Sequence, residues 1–184
     1  MKCPACPNES LENVEIEANL FAGTCADCGG KWLSNENYMS WLEFHGQTLP
    51  EIPAGEENNL SVPQFQPARL CPKDRSIMIK YKVGRNIPFT IDRCGNCAGI
   101  WLDRDEWETL KSRNLHDELN KIFTEPWQEE VHREEIRRNL EKIYREKFGE
   151  DTYARIKDFK SWMDQHEKRS EILAYLKDAK PLQF

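Results

Sequence analysis

Cys25-Ala-Asp-Cys28-Gly-Gly-Lys-Trp-Leu33 decides how this chain is read, because it returns as Cys94-Gly-Asn-Cys97-Ala-Gly-Ile-Trp-Leu102. The offset is 69 residues: Cys25 corresponds to Cys94, Cys28 to Cys97, Gly30 to Gly99, Trp32 to Trp101 and Leu33 to Leu102. Beyond the motif, Glu36 stands opposite Asp105, Tyr38 opposite Trp107 and Trp41 opposite Leu110. Upstream, Cys3-Pro-Ala-Cys6 is answered by Cys71-Pro-Lys-Asp74. A stretch that recurs with its spacing intact is one small unit used twice.

Two Cys-x-x-Cys turns brought together by a hairpin are the donor set of a tetrahedral zinc site. The spacing assigns a first ion to Cys3, Cys6, Cys25 and Cys28. A unit of about 45 residues buries too little apolar surface to fold unaided, and a metal supplies the missing free energy. The other uses of such cysteines are a redox pair or buried free thiols. The second copy assigns an ion to Cys71, Asp74, Cys94 and Cys97, with a carboxylate where a fourth thiolate would stand. A carboxylate oxygen ligates zinc, though as a harder and weaker donor. The alternative there is a surface aspartate beside a three-ligand site. Two Zn2+ ions are therefore expected, both structural. Catalytic zinc keeps an open position with a base nearby, and no histidine or glutamate is spaced to serve.

The rest of the composition narrows the class. Charged residues make up 32% and hydrophobic ones 39% of the 184, polar for one compact core and suited to small units with exposed helices. Met1-Lys2 runs straight into the first cysteine pair, and no stretch approaches the ~20 apolar residues of a membrane span. The expectation is a soluble, cytoplasmic protein without a membrane partner, where paired cysteines hold metal before they form disulfides. Seven cysteines also cannot pair completely. The net charge of −6 is uneven: residues 1–44 carry two basic and seven acidic side chains (−5), residues 70–113 nine and six (+3). Phosphate binding is thereby disfavoured for the first copy and left open for the second.

In order, residues 1–45 read as the first ribbon. Val14, Ile16 and Ala18 alternate as in a strand, Asn19 turns, and Trp32-Leu33 close a third strand. Gly29-Gly30 gives a tight turn with positive φ that leaves amides facing the sulfurs. Ser34 is the N-cap of a helix carrying Tyr38, Met39, Trp41, Leu42 and Phe44. Residues 46–69, with Pro50, Pro53, Pro63 and Pro67, read as a linker; Leu60, Val62 and Phe65 pack locally or meet a partner. Residues 70–113 are the second ribbon: Ile77, Ile79, Tyr81 and Val83 alternate, Gly84-Arg85-Asn86 turns, and Ile87, Phe89 and Ile91 return. Asp103 is expected to cap the next helix with Glu106 as its capping-box partner. Residues 114–184 are helical. A helix begins near Thr124-Glu125-Pro126, stops at Gly149 and is followed by a second run with a break near Gln165, an α-hairpin. The pairs Glu129→Arg133, Glu134→Arg138 and Glu141→Arg145 lace its exposed side. The fold class is thus a small α+β one, two tandem three-stranded ribbons each followed by a helix, plus a C-terminal helical hairpin.

Both copies resemble the transcription factor IIB-type zinc ribbon found, often in tandem, in bacterial proteins. The matching text is Cys-Pro-x-Cys/Asp, a hairpin, then Cys-x-x-Cys-x-Gly-x-Trp-Leu and an acidic helix start, over residues 3–44 and 70–111. Asp74 and Pro7 depart from that pattern. The resemblance implies zinc binding and a link to transcription or nucleic acid; it is specific for fold and metal, not for one function.

Function is therefore expected to be non-enzymatic: an adaptor or regulator that displays surfaces to a protein or nucleoprotein partner. Nucleic acid would be met through Lys73, Arg75, Lys80, Lys82, Arg85 and Arg93 of the second ribbon, and a protein through Trp127, Trp162 and Tyr175. The alternatives are a thiol and zinc redox sensor or enzyme at the Cys3Asp site, and a scaffold that homo-oligomerises through the C-terminal helices. His45 suits a helix end, while His116, His132 and His166 read as solvated side chains rather than ligands.

Overall fold

The computed structural model describes residues 1–45 and 67–178. Residues 46–66 of the linker, Leu60, Val62 and Phe65 among them, lie outside the described residues. The chain divides into two compact units, residues 1–132 and 133–184. Residues 114–132, grouped by sequence with the C-terminal helices, belong to the first.

The first unit is a mixed α/β body around one six-stranded antiparallel sheet. Each half contributes a hairpin and a short third strand: β1 (Glu12–Glu17), β2 (Leu20–Thr24) and β3 (Lys31–Leu33), then β4 (Ile79–Gly84), β5 (Ile87–Arg93) and β6 (Ile100–Leu102). The order across the sheet is β1-β2-β3-β6-β5-β4, so the short third strands pair with each other at the centre. Their register sets Trp32 opposite Trp101, Lys31 opposite Leu102 and Leu33 opposite Ile100. The hairpin turns are where the residues demand them. Arg85 (φ 50) and Asn86 (φ 64) are both left-handed, as a two-residue hairpin with the right twist requires, and Asn19 (φ 63) serves the first hairpin. The outer strand β1 is exposed over most of its length, so Val14 alternates in sequence without being buried.

Alternation along the strands sorts two apolar clusters. Leu33 and Leu102 join Leu20, Ala22, Phe89 and Ile91 beneath the helices α1 (Asn35–His45), α2 (Glu106–Ser112) and α3 (Leu119–Ile122). Trp32 and Trp101 belong instead to the cluster that holds Cys3, Cys25, Cys71, Cys94 and Met78. There the six-membered ring of each tryptophan packs against a glycine of the other half. A Cβ placed on Gly30 would stand 2.2 Å from the Trp101 ring, and one on Gly99 would stand 2.3 Å from the Trp32 ring. The first glycine of the motif, Gly29, is the one that uses its positive φ (73°); Ala98 takes the matching conformation (φ 56°) in the second half. Gly30 and Gly99 are needed for space, not for backbone freedom.

The helices are anchored by particular groups. Ser34 caps α1, its Oγ accepting from the Asn37 amide at 3.1 Å. Tyr38 and Trp41 go inward while Met39 and Phe44 stay exposed. Asp103 does not cap α2. The helix starts after Asp105 (φ 68), and the Asp103 carboxylate accepts instead from Trp101 Nε1 (2.8 Å) and from Arg69 (3.3 Å). Half of the expected capping box survives, because Glu106 Oε2 accepts from the Asp103 amide at 2.8 Å. The Tyr38 hydroxyl donates to the His116 carbonyl (2.9 Å) and accepts from the Leu119 amide (3.1 Å), which fixes the start of α3. The edge strand β4 is closed by the first turn of α4 (Glu125–Phe148). The Gln128 amide bonds both the N–H (3.2 Å) and the carbonyl (2.8 Å) of Lys82, standing in for a neighbouring strand.

The second unit holds the rest of α4, then α5 (Glu150–Asp164) and α6 (Arg169–Lys177). Gly149 (φ 76) separates α4 from α5, and the break expected near Gln165 separates α5 from α6. Of the lacing pairs, Glu134–Arg138 forms at 3.8 Å. Glu141 pairs with Lys157 of α5 (3.8 Å), and Arg145 pairs with Glu150 (2.7 Å). Among the described residues of this unit only Tyr153 and Met163 are buried.

The tryptophan–glycine contact makes a sharp test. Gly30→Ala and Gly99→Ala each force a methyl into an indole ring and should lower stability by about 2–3 kcal/mol. Gly95→Ala meets only Ile79 Cδ1 at 3.7 Å and should cost little. Urea unfolding of the three variants checks this, and equal stability for all three would contradict it.

Candidate metal centres

The first cluster takes Cys3 and Cys6 from the chain start and Cys25 and Cys28 from the turn between β2 and β3. Their sulfurs all lie within 4.8 Å of one another. The second takes Cys71 and Asp74 from the turn before β4, and Cys94 and Cys97 from the turn between β5 and β6, within the same limit. All eight residues singled out by spacing are thus gathered into the two expected sets of four. Among the described residues no such group involves His45, His116, His132 or His166.

The distances suit a small tetrahedral cation. Cys3 Sγ is 3.7 Å from Cys28 Sγ and Cys71 Sγ is 3.6 Å from Cys97 Sγ. Zinc with bonds of ~2.3 Å to sulfur has a tetrahedron edge of about 3.8 Å. Backbone amides point at the sulfurs, as in thiolate sites. Cys6 N donates to Cys3 Sγ (3.2 Å), Gly30 N to Cys28 Sγ (3.4 Å), Lys73 N to Cys71 Sγ (3.3 Å) and Cys97 N to Cys94 Sγ (3.4 Å). Both clusters are compatible with zinc.

Electrostatics distinguish the sulfurs within each set. Burial pushes the Cys3 thiol up to about 11 and the Cys71 thiol up to about 12. The Asp27 carboxylate, which accepts from Cys6 Sγ at 3.1 Å, raises Cys6 further. For Cys25 and Cys94 burial also acts upward, but hydrogen bonds from the amides of their own turns and from neighbouring side chains, the Ser76 hydroxyl among them for Cys94, together outweigh it and both are lowered. Asp74 is held well below the usual carboxylate range by the hydroxyl and amide of Ser76. Those two groups donate to Asp74 Oδ1 at 2.7 and 3.0 Å.

Sequence reasoning missed two groups at these clusters and one in the core beneath the helices. Arg104 reaches across from the second half, Nε donating to the Cys28 carbonyl (3.1 Å) and Nη2 to that of Asp27 (3.0 Å). Ser76 anchors Asp74; its place two residues after the aspartate was the available signal. His116, read as solvated, is only 5% exposed and sits between Trp41 and Trp107, with ring centroids at 5.9 and 5.8 Å. Burial lowers its pKa, and Nδ1 has no hydrogen-bond partner among the described residues.

The six candidate phosphate contacts fare unequally. Lys80 is bound to buried Asp92 at 2.9 Å, Arg85 faces Glu118 (3.6 Å) and the Trp127 ring (4.7 Å), and Arg93 lies over Phe123 at 4.9 Å. Lys73, Arg75 and Lys82 are exposed.

Comparison with known proteins adds one finding: a transcription factor zinc-finger family, the TFIIB-type zinc ribbon, matches residues 70–113. That is the second half, Asp74 included. Neither the curated proteins nor the solved structures give a match to the chain.

His116 gives a pH prediction. A histidine whose folded pKa is depressed binds fewer protons folded than unfolded, so its stabilising share is lost as pH falls below about 6.5. Asp117 and Glu17 oppose that lowering and Lys111 supports it. Compared by denaturation from pH 7.5 downward, the wild type should lose stability relative to His116→Phe. Parallel curves would contradict a buried neutral imidazole.

Proposed function

We propose that this chain is a non-enzymatic zinc-binding interaction module: two zinc ribbons fused into one sheet, acting as an adaptor or regulator that meets a protein partner, with a link to transcription. The observation that carries it is the pair of four-donor sets of zinc size, each packed against the tryptophan–glycine contact at the centre of the sheet. A metal so placed holds the fold, and a cytoplasmic location suits its thiolates. The match of the second half to a transcription factor zinc-finger family supports the same reading.

The surroundings favour display over catalysis. The hollow beside Cys97 has a volume of about 50 Å³, and one of about 510 Å³ between the two Cys-Pro turns is lined by Lys2, Cys3, Pro7, Leu70, Pro72 and Arg75, with no histidine or carboxylate among the described residues that line it. A protein partner is favoured over nucleic acid because Lys80, Arg85 and Arg93 are already engaged within the molecule.

A second reading, a scaffold assembled through the C-terminal helices, draws on a different observation. Ile136, Leu140, Tyr144, Phe148 and Ile156 border a groove of about 690 Å³ within the second unit, and each is between 44% and 46% exposed. Two buried side chains are a thin core for that unit, and association would complete it.

Two measurements separate these readings. The zinc-loaded chain should leave labelled duplex DNA and single-stranded RNA unshifted at low salt, whereas a shift that weakens with salt would move the reading to a nucleoprotein partner. Light scattering of the full chain decides the scaffold: a strict monomer at high concentration removes it.

A further inference from the structure

We infer that the two clusters hold metal unequally: Cys71, Asp74, Cys94 and Cys97 form an exchangeable site, and Ser76 is the positioning residue that governs its hold. This rests on the zinc reading above and adds a division of labour to it. Three observations carry it, none of them a titration.

The first is the donor set. Asp74 stands where the first cluster has Cys6, so one soft thiolate is replaced by a harder, weaker oxygen. It is also exposed, while every ligand of the first cluster is buried or half-buried.

The second is how Asp74 is held. The Ser76 amide and hydroxyl both donate to Oδ1, at 3.0 and 2.7 Å, and the same hydroxyl lies 3.3 Å from Cys94 Sγ. Oδ2 is the oxygen nearer that sulfur, 3.4 Å against 3.7 Å for Oδ1. Ser76 therefore occupies one oxygen and turns the other toward the sulfurs, which makes Asp74 a one-oxygen ligand.

The third is the difference in covering. Arg104 locks the Cys25–Cys28 turn by bonding two of its carbonyls and packs within 2.8 Å of where a Gly29 Cβ would stand. By the 69-residue offset its counterpart in the first half is Asn35. That side chain is too short for the same reach, and it borders the hollow of about 50 Å³ beside Cys97, Ser34 and Lys73. The first metal is shielded by a side chain from the opposite half. Both clusters border a hollow, Cys3 one of about 510 Å³ and Cys97 one of about 50 Å³. The asymmetry lies in the arginine-bridged turn of the first and in Asp74, the exposed ligand at which a chelator, a thiol or a competing dication can attack the second.

The test uses the full zinc-loaded chain challenged with excess pyridylazoresorcinol, which reports each zinc released. Two phases of one equivalent each are expected. Ser76→Ala should speed the fast phase by about tenfold and leave the slow one alone, as loss of an outer-shell partner does. Asp74→Cys should slow the fast phase toward the slow one, and Arg104→Ala should speed the slow phase only. Cobalt(II) loading gives a readout independent of rates, since Asp74→Cys should raise the sulfur-to-metal charge-transfer absorption by one thiolate. Two equivalents leaving in one phase, with Ser76→Ala unchanged, overturn the inference and leave the zinc reading intact. Fewer than two equivalents bound by the wild type overturn the zinc reading itself.

Discussion

Trp32 and Trp101 each lie on a glycine of the opposite half, at a distance that excludes even a methyl group. Much else follows from that contact. It sits where β3 and β6 pair, so it fixes the register that merges two hairpins into one sheet. It also forms the floor of the cluster that holds the cysteines. An indole buried to this extent contributes on the order of 5 kcal/mol from apolar area alone. Because the contact is reciprocal, neither half completes its own core: the ring that covers each cysteine turn comes from the other half. The two halves are joined where β3 pairs with β6 at the centre of one sheet.

The charge imbalance between the halves acquires a second meaning once they are joined. Lys111 of α2 pairs with Glu17 of β1, and Arg104 of the basic half bonds carbonyls in the acidic one. Lys31 and Glu108 make a reverse pair at 3.3 Å. Lys80 and Arg93 are drawn onto Asp92 and Phe123. Part of the excess positive charge in residues 70–113 is thus used within the molecule.

Much of the site was legible because a metal site is a matter of spacing. Four donors in two close pairs leave a hairpin few ways to fold, so all eight residues were named from sequence and all eight are gathered. The strands and turns around Asn19 and Arg85-Asn86 were legible for a similar reason: hairpin twist demands residues tolerant of positive φ. Contacts between the halves were not legible. Nothing in Gly30 or Gly99 reveals that an indole from 69 residues away will rest on it, and a glycine after a Cys-x-x-Cys turn invites a conformational explanation first. His116 misled because Asn114, Asp117 and Glu118 make its stretch of sequence polar, while its neighbours in space are Trp41 and Trp107. Asp103 looked like a cap from its position three residues before Glu106, but Trp101 Nε1 and Arg69 claim its carboxylate.

The central claim is that metal at the two clusters holds the sheet of residues 1–132 together. The most direct test is the amide NMR spectrum of the full chain, stripped of metal under reducing conditions and then titrated with zinc. Loss of dispersion for the strands and α1–α3 without metal, restored in full only at two equivalents, is the predicted result. A dispersed spectrum from the metal-free chain, unchanged by added zinc, would contradict it.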